Sequence, residues 1–428
     1  MDMRAFLGNV AFPRIVRVQQ KFPGPPPLNV EREIAKQFAR PEIAAKIGKG
    51  KRIAVAAGSR GVAQIDRIIR AVVEQVKALG AEPFIVPAMG SHGGATAVGQ
   101  ANVLAHLGIT EVTVGAPVRS SMEVVSLGVS PSGVPVHMDK TAYSADATIV
   151  VNRVKPHTLF RGPIESGLMK MMGIGLGKER GANAIHALGP ERFDTLIPEM
   201  GRHILKHSNI VLGVASVENA REQPVRLVAI EAERIEAEEK KLLAEAKSLM
   251  PRILFSPLHV LVVQQVGKNI SGDGMDPNVT GRFLSHLRAS EPDIQKLVAL
   301  DLTEQTYGNG LGIGMADVTT RRAVDKLDYY PMYVNSITAR LLGGAKVPVT
   351  LDTDRDAIAT AMVSCYGVEG GVYNMLFIQN TLKLEEVYIS EGLLPKARSL
   401  SNVEVRGEPF EIQFNAAGEL QPLFSEVD

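Results

Sequence analysis

The sequence predicts an α/β protein of two domains, each with parallel-rich sheets covered by helices. Three observations carry that prediction. Short apolar strands alternate with amphipathic helices from Lys51 onward, a Glu/Lys-rich segment interrupts the alternation near the middle, and a second alternation follows it. The 428 residues are 45% hydrophobic and 22% charged, enough apolar surface for more than one core.

In chain order, Phe22 to Leu28 read FPGPPPL, and a run of prolines can join neither a helix nor the middle of a sheet, so this is an extended connector. Ile53 to Ala57 is a short buried strand. Ala63 to Leu79 is a helix, with Ile65, Ile68, Ile69, Val72, Val73 and Val76 at helical spacing and Gly80 closing it. Phe84 to Val86 is a strand, Ala95 to Leu107 a helix ended by Gly108, Thr148 to Val151 a strand, Glu191 to His207 a helix and Ile210 to Val214 a strand. Glu231 to Leu249 is dense in Glu, Lys and Ala, which predicts a solvated helix held by side-chain pairs and connecting the domains, stopped by Pro251. Val260 to Val263 opens the second α/β region. The expected domains are therefore 1–252 and 253–402, with a tail of strands and turns at 403–428 packing back on the first domain.

Composition limits the partners. Net charge is +1, which gives no electrostatic reason to expect nucleic acid or an acidic membrane surface. Cys365 is the one cysteine, so neither an internal disulfide nor a thiolate metal cluster can form, and a reducing, cytoplasmic setting is expected. The N-terminal stretch lacks the apolar segment of a signal peptide, and no apolar run reaches membrane-spanning length.

Function in open α/β sheets sits in loops beyond the carboxyl ends of strands. Three such loops here are chemically loaded: Gly58-Ser59-Arg60-Gly61, then Pro87 to Gly94 with His92, then Asn152 to His157. They deliver Arg60, His92 and His157 to one sheet edge. Arginine suits bidentate carboxylate binding, and two histidines suit proton transfer near neutral pH. A hydrogen-bonding or turn role remains the plain alternative for each one alone.

The segment from Pro163 to His186 is the most informative. Residues 173–178 read GIGLGK, yet they lack the spacing and trailing Ser/Thr of a P-loop. Lys170 lies among Leu168, Met169, Met171 and Met172. An apolar setting makes a lysine amine nucleophilic; the alternative is a lysine that snorkels to water.

The succession of Arg60, Gly-Ser-His92, His157, a glycine-bordered Lys170 and His186 resembles that of the nickel-dependent lactate racemases and their homologues. Lys170 and His186 are sixteen residues apart, the family's separation of cofactor lysine and nickel-ligating histidine. The resemblance spans most of the chain, including the order of the domains. It implies a nickel pincer nucleotide (nickel pyridinium bisthiocarboxylate mononucleotide) attached covalently to Lys170, installed with the help of cofactor-biosynthesis proteins. His186 would be the metal ligand, His92 and His157 the acid/base pair, and Arg60 the anchor of the substrate carboxylate. Gln265 and Lys268 in QQVGK have the spacing of a Gln/Lys pair that faces the family's active site, in the cleft between the domains. The chain also departs from the family pattern. Ser59-Arg60-Gly61 replaces Thr-Arg-Pro, Glu165-Ser166-Gly167 replaces a double glycine, and there is no tryptophan.

The implied reaction is racemisation or epimerisation of a small 2-hydroxy acid. The Cα–H of such an acid is poorly acidic beside its carboxylate, so hydride transfer avoids a dianion. A base takes the hydroxyl proton while hydride leaves Cα, and return to the opposite face inverts configuration. One base for each hydroxyl position accounts for two histidines. An aldonate 2-epimerase on the same cofactor is an alternative, as is a non-catalytic small-anion binding protein, which has no need of a modified lysine.

Overall fold

The computed structural model describes residues 4–8, 10–58, 61–285, 287 and 291–424. The chain forms two compact units. One comprises Gly24–Met250, and the other joins Met1–Pro23 to Pro251–Asp428. Strand β1 (Ile15–Gln20) thus opens the chain but belongs to the later unit.

The Gly24–Met250 unit is built on β2 (Arg52–Ala57), β3 (Glu82–Pro87), a hairpin of β4 (Val124–Val129) and β5 (Pro135–Asp139), then β6 (Ala147–Arg153), β7 (Ile210–Glu218) and β8 (Pro224–Glu231). Its sheet runs β3-β2-β6-β7-β8, parallel except for β8. The chain winds outward from β2 to β3, then returns to continue on the other side of β2, so the winding reverses between β2 and β6. That reversal opens a crevice at the carboxyl ends of the two strands. In register, Ala57 lies level with both Pro87 and Val151, so the loops after β2, β3 and β6 leave one edge together.

Alternation along the strands divides the core. Ile53, Val55 and Ala57 join Ile65, Ile68, Ile69, Val72 and Val76 of the Ile65–Ala78 helix on one face. Ala54, Ala56 and Val150 face Met169, Met172, Leu176, Ile185, Phe193 and Leu196 on the other. Each fully buried Ile, Leu or Phe contributes about 1.5–3 kcal/mol of transfer free energy. The second face matters most here, because the Lys170 segment is part of it.

The Glu/Lys-rich segment departs from expectation. Its first residue ends β8, and the helix runs Ile235–Leu249. Lys240–Glu236 and Arg234–Glu238 ion pairs at 2.9 and 3.1 Å line its outer face, as its composition implies. Yet Ile235, Leu242, Leu243 and Ala246 are buried against the sheet, so the helix covers the core rather than spanning solvent. High charge density hid a sparse apolar stripe at helical spacing.

The other unit carries β9 (Leu258–Val266), β10 (Ile294–Leu302), β11 (Val318–Thr320), β12 (Val349–Leu351), β13 (Met375–Ile378), β14 (Glu386–Ser390) and β15 (Val403–Phe410). The order is β12-β11-β10-β9-β13-β14-β1-β15. The first five strands are parallel, while β14, β1 and β15 pair antiparallel. This departs from the expected boundaries at 1–252 and 403–428. The first strand lies between β14 and β15, with Ile15, Val16 and Val18 wholly buried, so residues 4–23 and the tail strand complete this sheet rather than the other. Among the described residues no helix is long and apolar enough to cross a membrane.

Candidate active site

The loop after β6 turns at Pro156 and presents His157, which is almost fully buried at 7% exposure. Its conformation is fixed by a short antiparallel bridge between Lys155 and Ser166 and by the carboxylate of Glu165. That carboxylate, itself buried, accepts the His157 backbone N–H at 2.8 Å, the Gly162 N–H at 3.3 Å and the Lys247 amine at 2.6 Å. Glu165 stands where the family resemblance placed a departure, and the structure gives the substitution a task.

Lys170 ends the short helix Leu168–Lys170, which passes directly into a π-helix at Met171–Leu176. Such wide turns are rare and concentrate at functional sites. The glycines that suggested a phosphate loop are packing residues. A Cβ on Gly175 would stand 2.7 Å from the Ala88 carbonyl oxygen, so only glycine lets this turn rest on the loop after β3. The lysine of the same motif, Lys178, is fully buried. It pairs with Asp139 at 3.1 Å and donates to Gln100 Oε1 at 2.9 Å. Burial pushes the Asp139 carboxyl up and the Lys178 amine down from their ordinary ranges, and each group's charge works against the other's shift. Gln100 in turn donates to the carbonyls of Gly90 and His92 at 2.8 and 3.3 Å, tying Lys178 to the His92 turn.

The Lys170 amine lies 2.9 Å from His157 Nε2. His157 Nδ1 accepts the Leu159 backbone N–H at 3.0 Å. A neutral imidazole carries one proton, and with Nδ1 accepting, that proton is on Nε2. In that tautomer Nε2 is the ring nitrogen that faces the Lys170 amine. The environment agrees. Burial holds the His157 imidazole well below the usual histidine range, and the charges of Lys170, Lys155, His186 and Arg161 push the same way.

His186 ends the helix Lys178–His186 and is half-buried. Its ring meets Phe193 edge-on at 5.2 Å, and Phe193 also meets the His157 ring, at 6.5 Å, and the Phe160 ring, at 5.7 Å. Phe160 packs on His157 at 4.6 Å. One aromatic cluster thus gathers His157 and His186 beside Lys170. Among the described residues no group of three or more His, Cys, Asp or Glu could hold a metal. A metal ligated by His186 would take its other donors from a bound molecule.

The remaining expected residues are placed as follows. Arg60 lies outside the described residues. Its neighbours Gly58 and Gly61 lie against Asn152 and Arg153 of the β6 end. His92 is exposed on the turn after β3, at the same sheet edge as His157 but outside the aromatic cluster. Gln265 and Lys268 belong to the other unit. Gln265 sits near the carboxyl end of β9, its N–H bonded to the Gln379 carbonyl at 2.9 Å, and the Lys268 N–H donates to Thr306 Oγ1 at 2.9 Å. Nearby, Asp276 caps the turn at Pro277, accepting the Asn278 N–H at 2.9 Å.

Glu165, Glu239, Lys247, Lys178 and Phe193 are the supporting residues that sequence reasoning did not single out. Glu239 is wholly buried, accepts the Met169 N–H at 3.0 Å, and has its carboxyl raised to about 7 by burial. In the sequence it is one acid among many in EAEEKK, and nothing marks it as different.

Residues 17–191 match the family model of the lactate racemase N-terminal domain, a span that includes Arg60, His92, His157, Lys170 and His186. The fold is similar to the lactate racemase apoprotein from Thermoanaerobacterium thermosaccharolyticum, at 13% identity and a TM-score of 0.52, covering 86% of this chain and 93% of that one. That likeness is one of fold. A comparison with curated proteins gives no match.

Proposed function

Because the chain carries a lactate racemase N-terminal domain over residues 17–191, we propose that it racemises or epimerises a small 2-hydroxy acid at a centre formed by Lys170, His157 and His186. The observation that supports this most is the hydrogen bond between His157 and Lys170. A binding protein for small anions would present a lysine as an ammonium cation. Here the amine is turned onto a buried imidazole, a setting that favours the neutral form that attacks electrophiles.

The residues fit the cofactor implied by the family. Lys170 would hold the nickel pincer nucleotide through a thioamide, and His186 would ligate its metal. One imidazole completing a set of soft donors suits Ni(II). When bound, that group supplies a hydride acceptor for the substrate Cα. The chain supplies the rest. Arg60 would anchor the carboxylate. His157 exchanges protons through Nε2, since Nδ1 accepts from the Leu159 backbone. His92, exposed on its turn, is the second acid/base. Maturation by cofactor-biosynthesis proteins follows from the covalent attachment.

The direct test uses protein matured in cells that make the cofactor, incubated with single enantiomers of short 2-hydroxy acids and with aldonates. Chiral chromatography should show inversion at C2 of at least one acid. Replacing His157 or His92 by Ala should lower kcat/KM by roughly 100- to 10,000-fold, the usual worth of general acid–base catalysis. Protein that carries the cofactor but inverts no acid in the panel would contradict the proposal. Inversion confined to aldonates would make it an epimerase.

A further inference from the structure

We propose that the helix Ile235–Leu249 is the positioning element that sets the spacing between Lys170 and His157. It holds the lysine segment through Glu239 and the histidine loop through Lys247 and Glu165. The inference rests on the reading of Lys170 as the reactive amine.

The first backbone N–H groups of any helix lack intrahelical partners. For the Leu168–Lys170 helix the residue before it is Gly167, which has no side chain to cap them. The acceptor comes instead from a distant element. Glu239 Oε2 takes the Met169 N–H at 3.0 Å. The approach depends on Gly167, because a Cβ there would stand 2.2 Å from Glu239 Oε1. On the other side Asn152 donates to the Gly167 carbonyl at 3.0 Å. Gly213 of β7 leaves room beneath, since a Cβ at that position would lie 2.5 Å from Leu168 and 3.2 Å from Ile235. The lysine turn is therefore clamped between the sheet and the helix.

Two turns further on, the same helix reaches the histidine loop. Lys247 donates to Glu165 at 2.6 Å, and Glu165 accepts the His157 N–H at 2.8 Å. Glu239 and Lys247 are eight residues apart, about 12 Å along a rigid helix. Ile235, Leu242, Leu243 and Ala246 fix that helix to the core. Both ends of the Lys170–His157 contact are thus referred to one rigid body. Neither Glu239 nor Lys247 touches the reactive atoms, so each acts through the groups it holds.

The test needs no cofactor. Full-length protein is treated with limiting acetic anhydride at neutral pH. Acetylation of Lys170 is measured by peptide mass spectrometry against Lys240, an exposed lysine of the same helix, and the His157 ring nitrogens are followed by NMR. In the wild type Lys170 should react faster than Lys240 although it is less exposed. Glu239→Leu should lower the ratio on the order of tenfold, as expected for loss of a buried hydrogen bond, and Glu239→Gln, which keeps an acceptor oxygen, should restore most of it. Lys247→Met should shift the His157 ring resonances and lower the ratio in the same direction. Its side chain is 41% exposed, so it decides the matter if Glu239→Leu does not fold. Unchanged acetylation and unchanged His157 resonances in folded variants would overturn the positioning role while leaving Lys170 reactive. A wild-type Lys170 no faster than Lys240 would instead remove the reactive-amine reading, and this inference with it.

Discussion

His157 is the residue whose chemistry is most constrained. Its Nδ1 faces a backbone donor and its Nε2 faces an amine, so adding a second proton to the ring would set N–H against N–H. Its lowered pKa means that the folded state resists protonation, so this group's contribution to stability is present above about 6.5 and is lost as pH falls below that value. NMR titration should find the His157 ring still neutral at pH 6. A His157 that gains its proton at or above its ordinary value of about 6.5 would contradict the hydrogen-bond assignment. Much of this site was legible as residue types. His157, Lys170 and His186 stood out by spacing, and the structure gathers the two histidines around Phe193 with Lys170 beside His157. What stayed hidden was the direction of each hydrogen bond, because Leu159 contributes only a backbone N–H, which no side-chain pattern reveals.

At the scale of elements, the buried face of the sheet and the Lys170 segment are the same object. Met169, Met172 and Leu176 pack into the core from the turns that flank Lys170. Glu239 holds the start of that segment at a cost in stability. Its carboxyl is raised to about 7, so its favourable protonated state is complete below about 4.5 and is lost as pH rises through 7. At pH 8 the buried carboxylate should cost on the order of 3 kcal/mol. Glu239→Gln, neutral at every pH, should therefore melt higher than the wild type at pH 8, with the gap closing as pH is lowered toward 5. Calorimetry across that range checks it, and equal melting at pH 8 would show that the carboxylate is better solvated than its burial implies. The strands and helices around the core were readable from periodicity because their apolar residues are dense. The Ile235–Leu249 helix was misread as a solvated connector because its core contacts are few and its supporting residues are charged. A buried glutamate and an exposed one look alike in sequence.

Across the whole molecule, the chain begins and ends in the same sheet. β1 is hydrogen-bonded on both edges, to β14 and to β15. Local pattern could place neither partner, since pairing between residues nearly four hundred apart leaves no trace in periodicity. The consequence is specific. Removing residues 1–23 should abolish hydrogen-exchange protection in β15, which has no other neighbour in the sheet order, and weaken it in β14, while β2, β6 and β7 keep theirs. Uniform loss of protection across both units would mean that the two sheets unfold as one.

The central claim is that Lys170 carries a nucleotide-derived cofactor. Intact-mass measurement tests it most directly, on wild-type protein and Lys170→Ala purified from cells that make the nickel cofactor. An adduct of nucleotide size on the wild type, mapped to the peptide containing Lys170 and absent from the variant, is the predicted result. An unmodified wild-type mass from such cells would contradict the account and favour a protein that binds small anions without transforming them.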